Sequence, residues 1–177
     1  MKRTSGHRAL PPLDEAALNE LALRYVGRFA TTRAKLCAYL ARKVRERGWD
    51  GTSGPDLAAI ADRFSSQGYV DDRAYALNKS QSLSARGYGK RRVLDSLRAA
   101  GIDEDSSAAA RQYADEEALS AAIRFAKRRR IGPFDISPMR DPGERQKALA
   151  AMIRAGHSFE LAQRILSLKP GEEINLD

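Results

Sequence analysis

The chain has 177 residues, 42% of them apolar, with a formal net charge of +8. That length allows one or two domains with a genuine core, and 13 glycines and 7 prolines are too few for a fibrous or disordered chain. No apolar run approaches the roughly 18 residues of a membrane-spanning helix, and none follows Met1-Lys2-Arg3 to make a signal peptide.

The lone cysteine, Cys37, excludes an internal disulfide framework and fits a reducing compartment, so a cytoplasmic location is expected. A pI near 9.9 points to a polyanionic partner, nucleic acid before membrane. The excess charge is uneven: residues 1–48 hold 11 Lys/Arg against 4 Asp/Glu, whereas residues 49–114 hold 9 against 9. A merely solvated basic surface is the plainer alternative.

Helical periodicity recurs along the chain and strand alternation does not. Residues 1–13 read as a polar, proline-ended, disordered arm. Leu18, Leu21, Ala22, Tyr25 and Phe29 make a first helical stripe, and Leu36, Cys37, Leu40 and Val44 a second, capped by Thr32. Gly48 closes it, Trp49 reads as a hydrophobic lid on its end, and an insertion from Asp50 to Gly54 follows. Pro55-Asp56 opens a third stripe of Leu57, Ile60, Ala61 and Phe64, ended by Gly68. Val93, Leu94 and Leu97 lead to Gly101; Leu119, Ala122, Ile123 and Ala126 follow. The stretch 131–143, with three prolines, is the longest internal loop. Asp141-Pro142-Gly143-Glu144 reads as a helix start. Leu149, Met152 and Ile153 then lead to Gly156, and Ser158 caps a last stripe of Phe159, Ala162, Ile165 and Leu166.

Three of these helices share a plan: a basic start, an apolar residue four before a glycine, then a short helix. Their glycines, Gly48, Gly101 and Gly156, lie 53 and 55 residues apart. The expected fold is therefore all-α, with three tandem three-helix repeats forming an elongated, curved array. The expected segments are the arm 1–13, repeats 14–70, 71–114 and 115–168, and a tail 169–177.

Motifs for catalysis are missing. There is no phosphate-cradling glycine loop with its lysine, Gly87-Tyr88-Gly89 lacks the third glycine of a dinucleotide site, and the two histidines, His7 and His157, lie far apart in sequence. Cys37 reads as a small hydrophobe on an apolar face. No enzyme activity, cofactor or metal is expected. Acidic pairs such as Asp71-Asp72 and Glu116-Glu117 read as helix starts.

What remains is basic. Arg33, Lys35, Arg42, Lys43, Arg45 and Arg47 flank the second stripe, suiting either an anion or plain solvent. In Arg86-Gly87-Tyr88-Gly89-Lys90-Arg91-Arg92 a tight turn leads into a helix whose first residues are cations, against the macrodipole. Phosphate or carboxylate at the exposed amides would explain that choice; Tyr88 either stacks on a base or packs. Lys127-Arg128-Arg129-Arg130, after Asp115-Glu116-Glu117, reads as ordinary dipole chemistry on one helix.

These residues resemble the RecX family, regulators of the bacterial RecA recombinase, over about residues 15–168. Leu21-Ala22-Leu23-Arg24-Tyr25-Val26 with Thr32 and Leu36, Gly68-Tyr69-Val70-Asp71-Asp72-Arg73-Ala74-Tyr75-Ala76, and Arg86-Gly87-Tyr88-Gly89 through Gly101-Ile102 carry the resemblance. Lys35, Lys90, His157 and the 131–143 loop depart from it. The resemblance implies binding along the groove of the RecA–single-stranded DNA filament, with lower ATP hydrolysis and strand exchange and limited filament growth. Arg86, Tyr88, Lys90, Arg91 and Arg92 are the expected partner or DNA contacts, with Lys43 and Arg47 contributing. The chain is expected to act as a monomer without a membrane partner. The alternatives are a general DNA-binding helical protein with no recombinase partner and, less favoured, a hydrolase with scattered acids and bases.

Overall fold

Local hydrogen bonds decide where the helices begin. Asp14, Thr32, Asp56 and Ser158 each place a side-chain oxygen on the amide three residues ahead, at 2.7, 3.1, 2.9 and 3.2 Å. Each satisfies a donor that the first helical turn leaves open. Asp56 is the cap of its helix. The ends are set by Gly48, Gly68, Gly101 and Gly156, with φ of 84°, 79°, 71° and 97°, the left-handed region where a Cβ is penalised.

The computed structural model describes residues 11–135 and 142–172. Within them the fold is all-α: α1 Glu15–Val26, α2 Arg33–Arg47, α3 Leu57–Ser66, α4 Asp72–Ala85, α5 Lys90–Ala99, α6 Ala108–Glu116, α7 Ala118–Arg129, α8 Pro142–Arg154 and α9 Phe159–Ser167, with a 3-10 turn at Gly132–Phe134. No described helix is long and apolar enough to cross a membrane. The chain divides into two compact units, one ending at Asp72 and the other starting at Arg73.

The first unit buries Leu18, Ala22, Leu36 and Leu40 completely, with Ile60 and Phe64 from α3 beside them. Each fully buried leucine contributes roughly 1.5–3 kcal/mol of transfer free energy. Leu13 joins this core with no exposed surface, which corrects the expectation that the arm is disordered to residue 13. It forms an isolated parallel bridge with Trp49: the Leu13 N–H donates to Gly48 at 3.0 Å and Asp50 N–H to Leu13 at 2.9 Å. Arg47 adds a fork of two bonds to the Pro11 carbonyl, at 3.0 and 2.8 Å. Residues 1–10 of that arm lie outside the described residues, as do 136–141 of the 131–143 loop and Asp141 of the expected cap. Trp49 packs on the first core and donates its indole N–H to Ser53 at 2.6 Å.

Two core clusters hold the second unit. Ala76, Leu83, Val93, Leu97, Ala110 and Ala114 unite α4 to α6; Phe125, Met152, Ala162 and Ile165 belong to the cluster of α7 to α9. Tyr88 packs against both. Two boundaries differ from the sequence expectation. The first stripe stops at Val26, so Phe29 lies beyond the helix and is 56% exposed. Asp115 and Glu116 close α6 rather than open α7, because the two helices share Glu117 as a common cap.

Candidate interaction surface

The turn after α4 shows what its glycines are for. Gly87 has φ of +79°, and a Cβ there would lie 2.9 Å from the Phe125 amide nitrogen of α7. Gly89 has ordinary backbone angles, yet its Cβ would lie 2.4 Å from the carbonyl carbon of Gly156. Gly156 in turn leaves no room towards Arg92, whose amide nitrogen would be 2.4 Å away. Two backbones touch here. The Gly89 N–H donates to Ala155 at 3.0 Å and the Arg91 N–H to Gly156 at 3.1 Å.

Of the amides at this helix start, that of Arg91, like that of the cap Gly89, is occupied by a carbonyl just past the end of α8. The negative end of one helix thus faces the positive end of the other, a favourable alignment of dipoles. The cations acquire structural roles as well. Arg91 reaches past its own helix to donate to the Ile153 carbonyl at 2.8 Å, in the last turn of α8. Lys90 forms an ion pair of 2.6 Å with Asp115, which explains an acid at the end of α6. Arg86 and Arg92 are exposed; the Arg86 guanidinium lies 5.5 Å from the centroid of the Tyr88 ring. Tyr88 is half-buried and packs against both cores.

His157 lies directly under this joint, buried, with its ring edge-on to Phe125 at 5.5 Å. Its Nε2 lies 3.2 Å from the Gly87 carbonyl. A carbonyl only accepts, so Nε2 carries the proton in the neutral ring; Nδ1 is buried without a partner. Burial holds the imidazole below its ordinary pKa, against the opposing effect of the Gly87 bond.

Sequence reasoning missed Arg124 and Arg128 as neighbours of this turn. One helical turn apart on α7, they donate to the Ser84 and Arg86 carbonyls at the end of α4, and Arg124 also pairs with Glu117. Their i, i+4 spacing was the available signal. The basic end of α7 therefore belongs beside Arg86, in addition to serving its own dipole.

Lys43 and Arg47 lie in the first unit, away in sequence from the others. Lys43 pairs with Glu46 at 2.6 Å, a bond that holds the Glu46 carboxylate below its usual range, and Arg47 grips Pro11. Cys37 is half-buried with its thiol directed at the Leu57 carbonyl, 3.4 Å away, and burial pushes its pKa up. A protonated thiol is a poor nucleophile. No group of three or more His, Cys, Asp or Glu among the described residues could hold a metal ion.

Such a chain is an all-helical protein whose polar chemistry consists of cations, arginine clamps and helix ends. The comparisons specify it further. It is 30% identical to the Regulatory protein RecX of Myxococcus xanthus, over 96% of this chain and 94% of the relative. Proteins of the same name from Mycobacterium sp. (strain KMS) and Thermobifida fusca are each 32% identical, over 89% and 91% of this chain and 86% and 83% of theirs. The crystal structure of RecX from Lactobacillus salivarius superposes with a TM-score of 0.64, covering 86% of this chain and 94% of that one at 16% identity. No family model matches. The chain belongs to the RecX family of regulatory proteins.

Proposed function

We propose that this protein is a cytoplasmic, monomeric negative regulator of the RecA recombinase. It binds in the groove of the RecA–single-stranded DNA filament, slows ATP hydrolysis and strand exchange, and limits filament growth. The observation carrying this proposal is similarity to proteins named Regulatory protein RecX along 96% of the chain. Physical support comes from exposed cations in both units. Several modest contacts to neighbouring filament subunits reinforce one another through effective concentration, favouring the filament over free subunits. Each of the segments 14–70, 71–114 and 115–168 carries some of these cations.

Within the proposal, Arg86 and Arg92 make the central contacts, with Lys43 as a secondary one through an ion pair that a phosphate can displace. Lys90, Arg91 and Tyr88 hold the joint that presents them, and Arg47 holds the N-terminal strap. The test is RecA ATP hydrolysis on single-stranded DNA with this protein far below one per RecA subunit. Strong inhibition is expected. Inhibition only once the DNA is coated would favour simple DNA binding, whose mark is steep salt dependence without RecA. The variant Arg86→Glu/Arg92→Glu should lose inhibition with helicity intact; full inhibition by that variant would refute the residue assignment.

A further inference from the structure

A second surface, in the first unit, is lined by residues given no role above, with Lys43 at its edge. Between α1 and α2 runs an open groove of about 450 Å³ lined by Arg24, Arg28, Arg42, Tyr25, Phe29 and Tyr39, with Leu21 completing it. No carboxylate lines it. Tyr25 and Tyr39 stack with centroids 4.2 Å apart and planes at 12°; Phe29 follows at 5.4 Å from Tyr25, tilted by 48°. The Arg42 guanidinium and Lys43 ammonium lie 5.6 and 5.9 Å from the Tyr39 centroid.

The three rings form a row that ends in a side chain open to solvent, since Phe29 is more than half exposed. Arg24 and Arg42 pair with Glu20 and Glu46 at 3.0 and 3.6 Å. Both pairs lie on the surface, where water and salt weaken them and a phosphate can displace the carboxylate. The groove thus offers a flat apolar face and several cations together, at a size that admits one base with its sugar.

We propose that this groove binds an unpaired stretch of nucleic acid, a base stacking on Phe29 and the flanking phosphates resting on Arg24, Arg28 and Arg42. Aromatic faces accept only bases that are free of their own stack, so a single strand fits and a duplex does not. An acidic peptide would satisfy the arginines but leave the row of rings without a flat partner. The proposal does not depend on a recombinase.

The probe is a short fluorescein-labelled oligothymidylate, titrated with the full chain and followed by fluorescence anisotropy over a range of salt. Phe29→Ala should weaken binding about tenfold, a typical loss for one stacked base, and leave the salt slope unchanged. Phe29→Trp should bind at least as well as the wild type. Arg28→Ala should lower the slope of log K against log salt by about 0.7, one single-strand phosphate. An oligonucleotide carrying 5-iodouracil should photocrosslink to Tyr25, Phe29 or Tyr39. Wild-type affinity of Phe29→Ala, equal affinity for duplex, or displacement of the strand by a polyglutamate peptide as readily as by unlabelled strand would each overturn it. Crosslinks confined to residues 86–92 would overturn it too while leaving the RecA proposal untouched. Crosslinks at Phe29 in a protein without effect on RecA would do the reverse.

Discussion

Gly89→Ala isolates the contact between two backbones. At φ −80° and ψ 167° Gly89 occupies a conformation open to any residue. Backbone strain is therefore absent, and at an uncrowded site this substitution would stabilise the fold by about 0.4–1 kcal/mol through the unfolded chain. Here the new methyl would lie 2.4 Å from both the carbonyl carbon and oxygen of Gly156 and 2.5 Å from the His157 nitrogen. Those are backbone atoms and cannot rotate away. Overpacking costs about 1–3 kcal/mol, and parting the chains breaks the bonds from Gly89 and Arg91 at about 1 kcal/mol each. The net expectation is a loss of roughly 2–5 kcal/mol. Urea unfolding followed by far-ultraviolet circular dichroism measures it, with Gly54→Ala as control, since nothing lies within 4 Å of a Cβ there. The chain's one tryptophan, Trp49, is in the first unit, so helicity lost ahead of its fluorescence change places the damage in the second. A variant as stable as the wild type, or more stable, would refute the joint.

Other substitutions divide structure from surface. Arg91→Ala should cost about 1 kcal/mol through the lost bond to Ile153, whereas Arg92→Ala should stay within about 0.5 kcal/mol; equal effects in urea would contradict the roles given to them. Leu13→Ala should cost about 2–5 kcal/mol for a fully buried side chain, and an unchanged urea midpoint would show the strap to be undocked. His157 should make the second unit acid-sensitive. Its folded pKa lies below the ordinary 6.5, so the unfolded chain takes up the proton first and stability falls as pH drops below about 6.5. Above that pH the contribution is complete. In His157→Gln that component of the pH dependence should vanish, and a profile identical to the wild type would exclude the histidine as its source.

Much of the fold is legible in the sequence because its signals are local. Thr32, Asp56 and Ser158 act three residues ahead of themselves, and the glycines at 48, 68, 101 and 156 answer a steric rule about one residue. The errors arise where a local rule met a rival. Apolar spacing carries the first stripe to Phe29, but Gly27 caps the helix two residues earlier. Asp115 and Glu116 look like a helix start because neither glycine nor proline separates α6 from α7. The turn from Arg86 to Arg92 stands out by its glycines and cations, yet the groups it bonds to are at Ile153, Ala155 and Gly156, far along the chain. Periodicity does not report contacts between segments so distant. For the same reason Lys90 looks misplaced at the start of its helix until it is paired with Asp115.

The single residue shared by α6 and α7 also limits how the chain can vary in length. Adding one residue beside Glu117 would turn α7 by about 100° and advance it by about 1.5 Å. Arg124 and Arg128 would then swing away from the ends of α4 that they clamp. The segment Asp50 to Gly54 has no such gearing: it is a loop tied down by the Trp49 bond to Ser53, and beyond that a Cβ at Gly54 would meet nothing within 4 Å. Insertions and deletions across relatives should therefore gather at the loop and avoid the junction, so that spacing around Glu117 is held as firmly as any side chain.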